Sequence, residues 1–279
     1  MIKRISSTLI LLLTFSLTVA NSQSLTISGI VKNSKTDEPI PYVNIGIRKK
    51  NIGTAADLSG RFRLTINDEN RKDTITFSGV GFEELSLSID AILSDRQTEF
   101  FLNEKATSLQ EVVVTNRARK IRKVGTISRN PLVTGTAQTR NSNDISELAN
   151  LIKLNQTPSE LLSATLYLKS LKIDSASFRI NFLDSVDGEP GDRIVEKSII
   201  RRLPLTSGWV TVDLEQYNIV IEKDFFISFE YLPDPNYNEK FLFYYGGALG
   251  GNYYSRNVSL GNWKKGNGAR IAAYVTVRQ

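Results

Sequence analysis

The chain has 279 residues and a formal net charge of +6 at pH 7, and it contains neither cysteine nor histidine. Without cysteine there are no disulfides, no thiolate chemistry and no lipid-modified N-terminal cysteine. Without histidine a Ser-His-Asp triad and a His-ligated zinc centre are excluded on this chain.

Residues 1–22 are predicted to be a secretory signal peptide. Lys3 and Arg4 precede an apolar run from Leu9 to Val19, and small residues close the segment. The run is too short for a comfortable membrane span, and no later stretch of the sequence approaches about eighteen apolar residues. We therefore expect an exported protein that is periplasmic, outer-membrane-associated or extracellular, with no transmembrane segment after signal removal.

Residues 23–115 contain seven short stretches in which apolar and polar residues alternate, with turn-forming residues between them. Phe62, Leu64 and Ile66, for example, alternate with polar residues, which predicts a half-buried strand. The polar turn from Asp57 to Gly60 predicts a hairpin between its two flanking strands. A later strand is predicted from Leu85 to Ile89, and no helix of useful length is visible. This pattern is typical of a seven-stranded β-sandwich.

Four segments, in this order, resemble a known family: SGIVKNSKTDEPIPYVNIGI, GTAADLSGRFRLTI, DTITFSGVGFEEL and LQEVVVT. They resemble the carboxypeptidase regulatory-like domain, a transthyretin-like β-sandwich that is appended to some metallocarboxypeptidases. They are also similar to the N-terminal extension of many TonB-dependent outer-membrane transporters, where the ending resembles Leu109 to Thr115. The resemblance covers residues 25–115 and implies a transporter complex as one candidate partner.

Residues 116–130 are predicted to be a basic linker between two domains. Like charges in a row repel one another and favour an extended, solvated segment. The alternative is a contact with an anionic envelope polymer or lipid headgroup, which suits an exported protein better than nucleic acid does. The clustered cations are Arg117, Arg119, Lys120, Arg122, Lys123 and Arg129.

Residues 131–279 predict a second, larger β-sandwich of jelly-roll type. Phe178, Ile180 and Phe182 alternate with Arg179 and Asn181, and similar alternation recurs along this part of the chain. The stretch 144–152 fits a short helix and a strand equally well. Together the two parts predict an all-β protein.

A glycine-rich aromatic stretch near the C-terminus is the candidate ligand-binding site. Aromatic rings stack on the apolar faces of sugars, while amides and guanidinium groups bond to sugar hydroxyls, so a glycan or an envelope protein is the expected partner. The candidate residues are Tyr244, Tyr253, Tyr254, Arg256, Asn262 and Trp263. Alternation also assigns Phe241, Phe243 and Tyr245 to one face of a strand, Tyr244 to the other, and Trp209 to the core.

An acidic loop is the candidate metal site, because hard cations such as calcium prefer oxygen ligands. Its carboxylates are Asp184, Asp187, Glu189 and Asp192. Their spacing is not that of an EF-hand, and an exposed acidic turn without a ligand is the alternative. Apart from a structural calcium ion, no cofactor is expected.

The sequence predicts an exported, non-catalytic envelope protein that binds or scaffolds, with no nucleic-acid partner. Two alternatives stay open. One is an accessory component of a TonB-dependent outer-membrane transport system, and the other is a glycosidase-like enzyme that uses two carboxylates. A pocket with two carboxyl groups about 5 to 9.5 Å apart would favour the enzyme. An exposed platform of Tyr and Trp would favour the binding protein.

Overall fold

The computed structural model describes residues 24–106, 120–140, 143–170, 172–206, 208–234 and 241–279, without the side chains of residues 241 and 242. The predicted signal peptide, residues 1–22, and the segment from Leu109 to Thr115 lie outside the described residues, so both stay predictions. No helix among the described residues has the length and apolarity needed to cross a membrane.

The first sandwich has the two sheets and the strand content that the sequence predicts. One sheet has the order β4-β1-β7, with β1 and β7 parallel, and the other has the order β3-β2-β5-β6. The strands are β1 Ser24–Asn33, β2 Asn44–Ile47, β3 Ile52–Ala55, β4 Arg61–Asn67, β5 Thr74–Ser78, β6 Leu85–Ser88 and β7 Glu99–Leu102, and the helix α1 is Ile89–Ser94.

Three aromatic rings join the two sheets of the first sandwich. Phe77 of β5 stacks on Phe100 of β7 at 4.6 Å between ring centroids, and Phe62 of β4 meets Phe77 edge-on at 5.5 Å. The alternation predicted for β4 is confirmed, since Phe62, Leu64 and Ile66 are buried while their neighbours are exposed. Most of this core is made by the inward-facing residues of the two sheets, as expected when one face of each sheet is covered.

The predicted hairpin around Asp57 is wrong, although the turn itself forms. The carboxylate of Asp57 accepts hydrogen bonds from the amides of Ser59 and Arg61, at 2.8 and 2.9 Å. However, β3 pairs with β2 and β4 pairs with β1, so this turn joins two different sheets. The same turn chemistry serves a hairpin and a sheet-to-sheet corner, and only the partner strands distinguish them.

The strand predicted from Leu85 to Ile89 ends one residue early. β6 stops at Ser88, and Ile89 begins the six-residue helix α1. Ile89 and Ile92 of α1 are buried against the first core, so the apolar residue that fits a strand pattern is used by a helix.

The second sandwich is larger, and its strands form one hydrogen-bonded network in the described part of the chain. These strands are β8 Ile121–Gly125, β9 Asn130–Gln138, β10 Ser146–Ile152, β11 Ser159–Lys169, β12 Ser175–Val186, β13 Glu189–Arg193, β14 Ile200–Pro204, β15 Gly208–Asp213, β16 Val220–Ile221, β17 Phe225–Tyr231, β18 Phe241–Arg256, β19 Lys264–Ile271 and β20 Ala273–Arg278. With the first sandwich they confirm the all-β fold.

Strand β18 connects the two layers of the second sandwich. Its first half pairs with β9 and β11, and its second half pairs with β19 and β10. We call the layer of β15, β11, β20 and β8 the open sheet, and the layer of β12, β17, β10 and the second half of β18 the covered sheet. The apolar core lies between these two sheets.

Two further regions of the second sandwich bear on the sequence predictions. Most of the stretch 144–152, which fits a helix and a strand equally well, forms the strand β10, Ser146–Ile152. Strand β8 lies within the predicted linker 116–130, where it pairs with β20, so this part of the linker is an edge strand of the open sheet. Arg117 and Arg119 lie outside the described residues.

Candidate functional site

The outer face of the covered sheet carries four charged residues that lie side by side on neighbouring strands. The register pairs Arg179 with Glu230, Glu230 with Glu147, and Glu147 with Arg256. Arg179 donates to both carboxylate oxygens of Glu230, at 2.8 and 2.7 Å, and Arg256 donates to Glu147. Both carboxylates are fully buried. Guanidinium groups therefore replace the water that each carboxylate loses on folding.

The first sandwich covers this charged row. Arg179 donates to the backbone oxygen of Tyr42 at 2.9 Å and to the side-chain oxygen of Asn44 at 3.2 Å. The amide nitrogen of Asn44 in turn donates to Glu230 at 2.9 Å. One buried network thus links β2 of the first sandwich to β12 and β17 of the second.

Backbone and side-chain contacts extend the interface beyond the charged row. The backbone oxygen of Asn143 accepts hydrogen bonds from the amide of Ala55 and the hydroxyl of Thr54, both at 2.9 Å. At the opposite rim, Glu196 pairs with Lys105 and accepts a hydrogen bond from the amide of Gly81. The two sandwiches are therefore packed together directly.

Two carboxyl groups near the interface have opposite pKa shifts. Burial alone would raise the pKa of Glu230, but the charge of Arg179 and its hydrogen bonds outweigh burial and hold the pKa below its usual range. For Asp144, burial raises the pKa to about 7. Its Oδ1 accepts from the amides of Ile145 and Ser259, while Oδ2 has no hydrogen-bond partner among the described residues. Asp144 therefore takes up a proton near neutral pH.

Three of the predicted ligand-binding residues have structural contacts in this region. Arg256 bonds to Glu147, and Trp263 lies over its guanidinium group at 4.5 Å. Asn262 belongs to the domain interface, because its side chain donates to the backbone oxygen of Lys49 at 3.2 Å. Arg256 and Asn262 therefore already make hydrogen bonds within the protein.

The three tyrosines predicted to bind a ligand lie in different environments. Tyr254 is buried, packs edge-on against Phe226 at 5.3 Å, and donates to the backbone oxygen of Gly188 at 2.7 Å. Tyr253 is half-buried against the main core, and Tyr244 is half-buried on β18. The six predicted residues therefore do not form one exposed platform, and their role in ligand binding stays a prediction.

For the described side chains of β18, the burial of Phe243, Tyr244 and Tyr245 agrees with the faces predicted from the sequence. Phe243 and Tyr245 are both buried in the main core, and Tyr244 is half-buried beside them. The side chain of Phe241 lies outside the described residues.

The acidic loop is a tight hairpin between β12 and β13. Val186 pairs with Glu189, and the two residues between them, Asp187 and Gly188, have φ of +51° and +79°. An Asp-Gly pair with positive φ is typical of a type I′ turn. The turn therefore explains the presence of Asp187 and Gly188 at these positions without a bound ligand. Among the described residues, no three acidic side chains are close enough together to hold a metal ion.

Trp209 is not in the core, contrary to the sequence prediction. It lies on the outer face of the open sheet, where 39% of the residue is exposed. The indole meets Tyr167 edge-on at 5.7 Å and Tyr274 at 5.5 Å. Val212 takes an inward position instead, because the residues of β15 alternate between the two faces, and Leu214 directly after β15 is also in the core. We call Trp209, Tyr167 and Tyr274 the Trp209 platform.

Polar and charged groups surround the Trp209 platform. Arg129 lies over the ring of Tyr167 at 4.2 Å and Lys123 over the ring of Tyr274 at 5.1 Å. Beside the indole is a shallow depression of about 610 Å³, to which Arg202, Thr211 and Asp213 contribute. An exposed ring beside hydroxyl, carboxylate and guanidinium groups is the arrangement that sugar recognition needs.

Carboxylates also line a wide groove at one end of the second sandwich. This groove of about 1050 Å³ includes Asp184, Glu222 and Asp224. Asp224 already accepts hydrogen bonds from the amides of Leu154 and Asn155, at 2.8 and 3.1 Å. Its carboxylate therefore has a structural role in holding the loop after β10.

A smaller cleft of about 450 Å³ opens where β18 bends. Gly250 and Gly251 both have φ of +79°, and the register of β18 against β19 shifts between Leu249 and Asn252. This bulge redirects β18 and leaves space beside β10, as such bulges do in twisted sheets. The cleft is lined by Val124, Gly125, Thr126, Asn150, Leu151, Lys153, Gly188, Phe226, Gly251, Asn252, Tyr254, Lys265 and Arg270.

Comparison with protein families identifies the first sandwich. Residues 27–114 match the family described as the CarboxypepD_reg-like domain. The resemblance to the carboxypeptidase regulatory-like domain is therefore confirmed for this part of the chain. No curated protein matches the sequence.

Two solved structures are similar to the chain at low identity. One contains the cysteine protease and lectin-like domains of Cwp84, a surface-layer-associated protein of Clostridium difficile, with 11% identity and a TM-score of 0.42. The other is the clostridial cysteine protease Cwp84 after propeptide cleavage, with 10% identity and a TM-score of 0.40. The matches cover 94% and 93% of this chain but only 60% and 66% of those chains. These values are too low to support a functional argument.

Sequence reasoning missed Arg179 and Glu230 as interface residues and Trp209 as a surface residue. Two of the three, Arg179 and Trp209, had a usable signal. Arg179 alternates with buried phenylalanine and isoleucine, and Trp209 falls on the same face of β15 as Thr211. These positions on their strands are compatible with outward-facing side chains, but they do not indicate which of the outer faces is covered.

Proposed function

We propose that this chain is an exported, non-catalytic binding protein of the cell envelope, and that its second sandwich holds a glycan on the Trp209 platform. The observation that supports this proposal is the large exposed fraction of Trp209 on the outer face of the open sheet. A sugar ring has an apolar face that packs on an indole, and its hydroxyls need planar or hydroxyl partners nearby.

The surroundings of Trp209 favour binding in a fixed geometry. Tyr167 and Tyr274 both contact the indole, and both tyrosines are themselves buried. A ring that is held in place before the ligand arrives loses little conformational freedom on binding. Thr211 and Thr165 bond to each other across the strands at 2.9 Å, which places hydroxyl groups on the same face.

The first sandwich serves in this proposal as a docking unit. Its match to the CarboxypepD_reg-like domain supports a non-catalytic role. Because the chain has no histidine, it cannot supply the imidazole ligands of a zinc carboxypeptidase. The buried contacts of Asn44 and Tyr42 hold this unit against the second sandwich.

The glycosidase-like alternative has less support. Glu147 and Glu230 lie on adjacent strands, but both are buried and paired with arginine, so a substrate does not reach them. The role of accessory component in a TonB-dependent transport system rests on the resemblance of Leu109 to Thr115, and it stays a prediction. Recovery of a transporter from envelope extracts with the purified chain would support that role.

A glycan array with the full mature chain tests the proposal. The full chain is needed because the domain interface contains buried charges that a fragment would expose. We expect binding to at least one neutral glycan, and a loss of about tenfold or more in affinity for Trp209→Ala, as for other ring anchors.

Trp263→Ala is the matched control, because it removes the chain's other tryptophan, which packs on Arg256. This variant should keep glycan binding even where its melting temperature falls. Absence of binding to every glycan, or equal binding by the Trp209→Ala variant, would overturn the assignment of the platform.

A further inference from the structure

The cleft at the bend of β18 has a strongly basic lining. Lys153, Lys265 and Arg270 line it, and no acidic residue is among the lining residues. All three cations are exposed. None of the three forms a salt bridge to another residue of the described chain, so their charges are available to a ligand.

The floor of the same cleft is aromatic and fixed. Tyr254 and Phe226 pack edge-on, and the hydroxyl of Tyr254 is tied to the backbone of Gly188. Lys265 lies over the ring of Tyr254 at 6.0 Å, so a cation and an aromatic face occur together. Asn252 adds a side-chain amide to the lining.

The bulge in β18 places Arg270 at this site. A Cβ atom on Gly251 would lie 2.7 Å from the Cγ and Cδ atoms of Arg270, so the arginine side chain passes directly over a glycine backbone. The guanidinium group therefore owes its position to the absence of a side chain at residue 251. Arginine recognises carboxylate and sulfate groups through paired hydrogen bonds.

We propose that this basic cleft binds an acidic sugar, one that carries a carboxylate or a sulfate group, at a site separate from the Trp209 platform. The cations hold the acidic group, and the ring of the sugar packs toward Tyr254 and Phe226. The volume of about 450 Å³ lies within the range of small-molecule sites. A concave site with an amide and a buried aromatic floor suits a sugar better than a flat membrane surface.

The test is calorimetric titration of the full mature chain with three trisaccharides of equal length, which are a uronate, a sulfated sugar and a neutral sugar. We expect at least one acidic trisaccharide to bind about tenfold more tightly than the neutral one. This preference should weaken as the salt concentration rises, because exposed charges are screened. The uronate and sulfated arms show which acidic group is bound.

Arg270→Gln and Lys265→Gln should each lower the affinity for the preferred acidic trisaccharide about five- to tenfold. Lys72→Gln removes the same charge from an exposed position of the first sandwich and should leave the affinity unchanged. Trp209→Ala should also leave it unchanged, so failure of this proposal and failure of the Trp209 platform are distinguishable.

Equal binding of the acidic and neutral trisaccharides would overturn the proposal. Wild-type affinity of both cation variants for the acidic sugar would overturn it as well. Vesicles of anionic phospholipid form a fourth arm, and binding to the vesicles alone would show that the basic lining recognises a membrane surface instead.

Discussion

The two outer faces of the second sandwich differ in what covers them. On the covered sheet, Arg179 and Glu230 are enclosed by the first sandwich. On the open sheet, Trp209 is partly exposed and the neighbouring cations, Lys123 and Arg129, lie over tyrosine rings. One face contains buried charge, and the other contains an exposed ring.

Residues that point away from the core in the same alternating pattern can therefore differ in role: those on a covered face affect stability, and those on an open face are available for binding. A buried ion pair is expensive to break, because the remaining charge has no water to replace its partner. Charges and rings at the surface contribute little to stability and are available for binding. Substitutions should therefore affect stability on the covered face and binding on the open face.

The largest effect is expected for Arg179→Met. This change leaves Glu230 buried without its main partner, and we expect the free energy of unfolding to fall by about 3 to 5 kcal/mol. Urea unfolding of both proteins measures the difference.

Arg202→Met is the control on a solvent-exposed pair. Arg202 meets Asp234 at 3.4 Å with about half of its side chain exposed, and its loss should cost less than about 1 kcal/mol. Adding Glu230→Leu to Arg179→Met should restore part of the stability, since both charges are then gone. If Arg179→Met proves as mild as Arg202→Met, the charged row does not hold the two sandwiches together.

Asp144→Asn should change how stability depends on pH. The pKa of Asp144 is about 7 in the folded chain, against about 3.9 when unfolded. The folded chain therefore keeps a proton that the unfolded chain releases, so the free energy of unfolding falls as pH rises through this window. The asparagine variant lacks this fall. The difference in free energy of unfolding, variant minus wild type, should therefore rise by about 3 kcal/mol between about pH 4.5 and pH 8.

Unfolding by urea at several pH values measures this difference. The lowered pKa of Glu230 acts in the opposite direction, because its contribution is lost as pH falls below the ordinary range of glutamate. Its effect therefore lies at lower pH than the window of Asp144. Parallel stability curves for the wild type and the Asp144→Asn variant would show that Asp144 does not titrate near neutral pH.

A smaller effect is expected for Gly53→Ala at the domain contact. A Cβ atom at residue 53 would lie 2.4 Å from the backbone oxygen of Ser259, which forces the two sandwiches apart. We expect a loss of about 1 to 3 kcal/mol, measured by thermal unfolding.

Gly135→Ala on β9 is the matched control, because a Cβ atom there meets nothing within 4 Å. This variant should unfold at nearly the same temperature as the wild type. Equal melting temperatures for both variants would mean that the first sandwich does not press closely against the second at Gly53.

The smallest effect is expected for Lys123→Met on the open sheet. The change keeps the apolar stem but removes the charge over Tyr274, and it should cost about 0.5 kcal/mol. Urea unfolding detects the difference when Lys72→Met, at an exposed position of the first sandwich, serves as reference. A loss above about 2 kcal/mol would show that the open face also depends on charge for its stability.

Much of the fold is predictable because alternation is a local property. Phe62 and Phe178 each belong to strands whose side chains point alternately to the core and away from it. The turn at Asp57 is also predictable, since its carboxylate bonds to amides only two and four residues ahead. The strands with which β3 and β4 pair are not determined locally, and for this reason the predicted hairpin is wrong.

The candidate sites are predictable only in part. Tyr254 and Asn252, in the aromatic and glycine-rich stretch, do line a cleft. Its cations at Lys153 and Arg270 come from distant parts of the chain, and no spacing in the sequence connects them. The assignment of Trp209 to the core is wrong, because its position on β15 places the indole on the outer face of the open sheet.

The sequence by itself determined two β-sandwich cores and the outward direction of Arg179, because strand alternation depends on neighbouring residues alone. Only the tertiary structure decided that Arg179 is buried and that Trp209 is exposed. The partner of Arg179 in the first sandwich, Asn44, lies 135 residues away in the chain, and no comparable element covers Trp209 in the described structure. Burial of an outward-facing residue depends on such distant contacts, which local patterns do not contain.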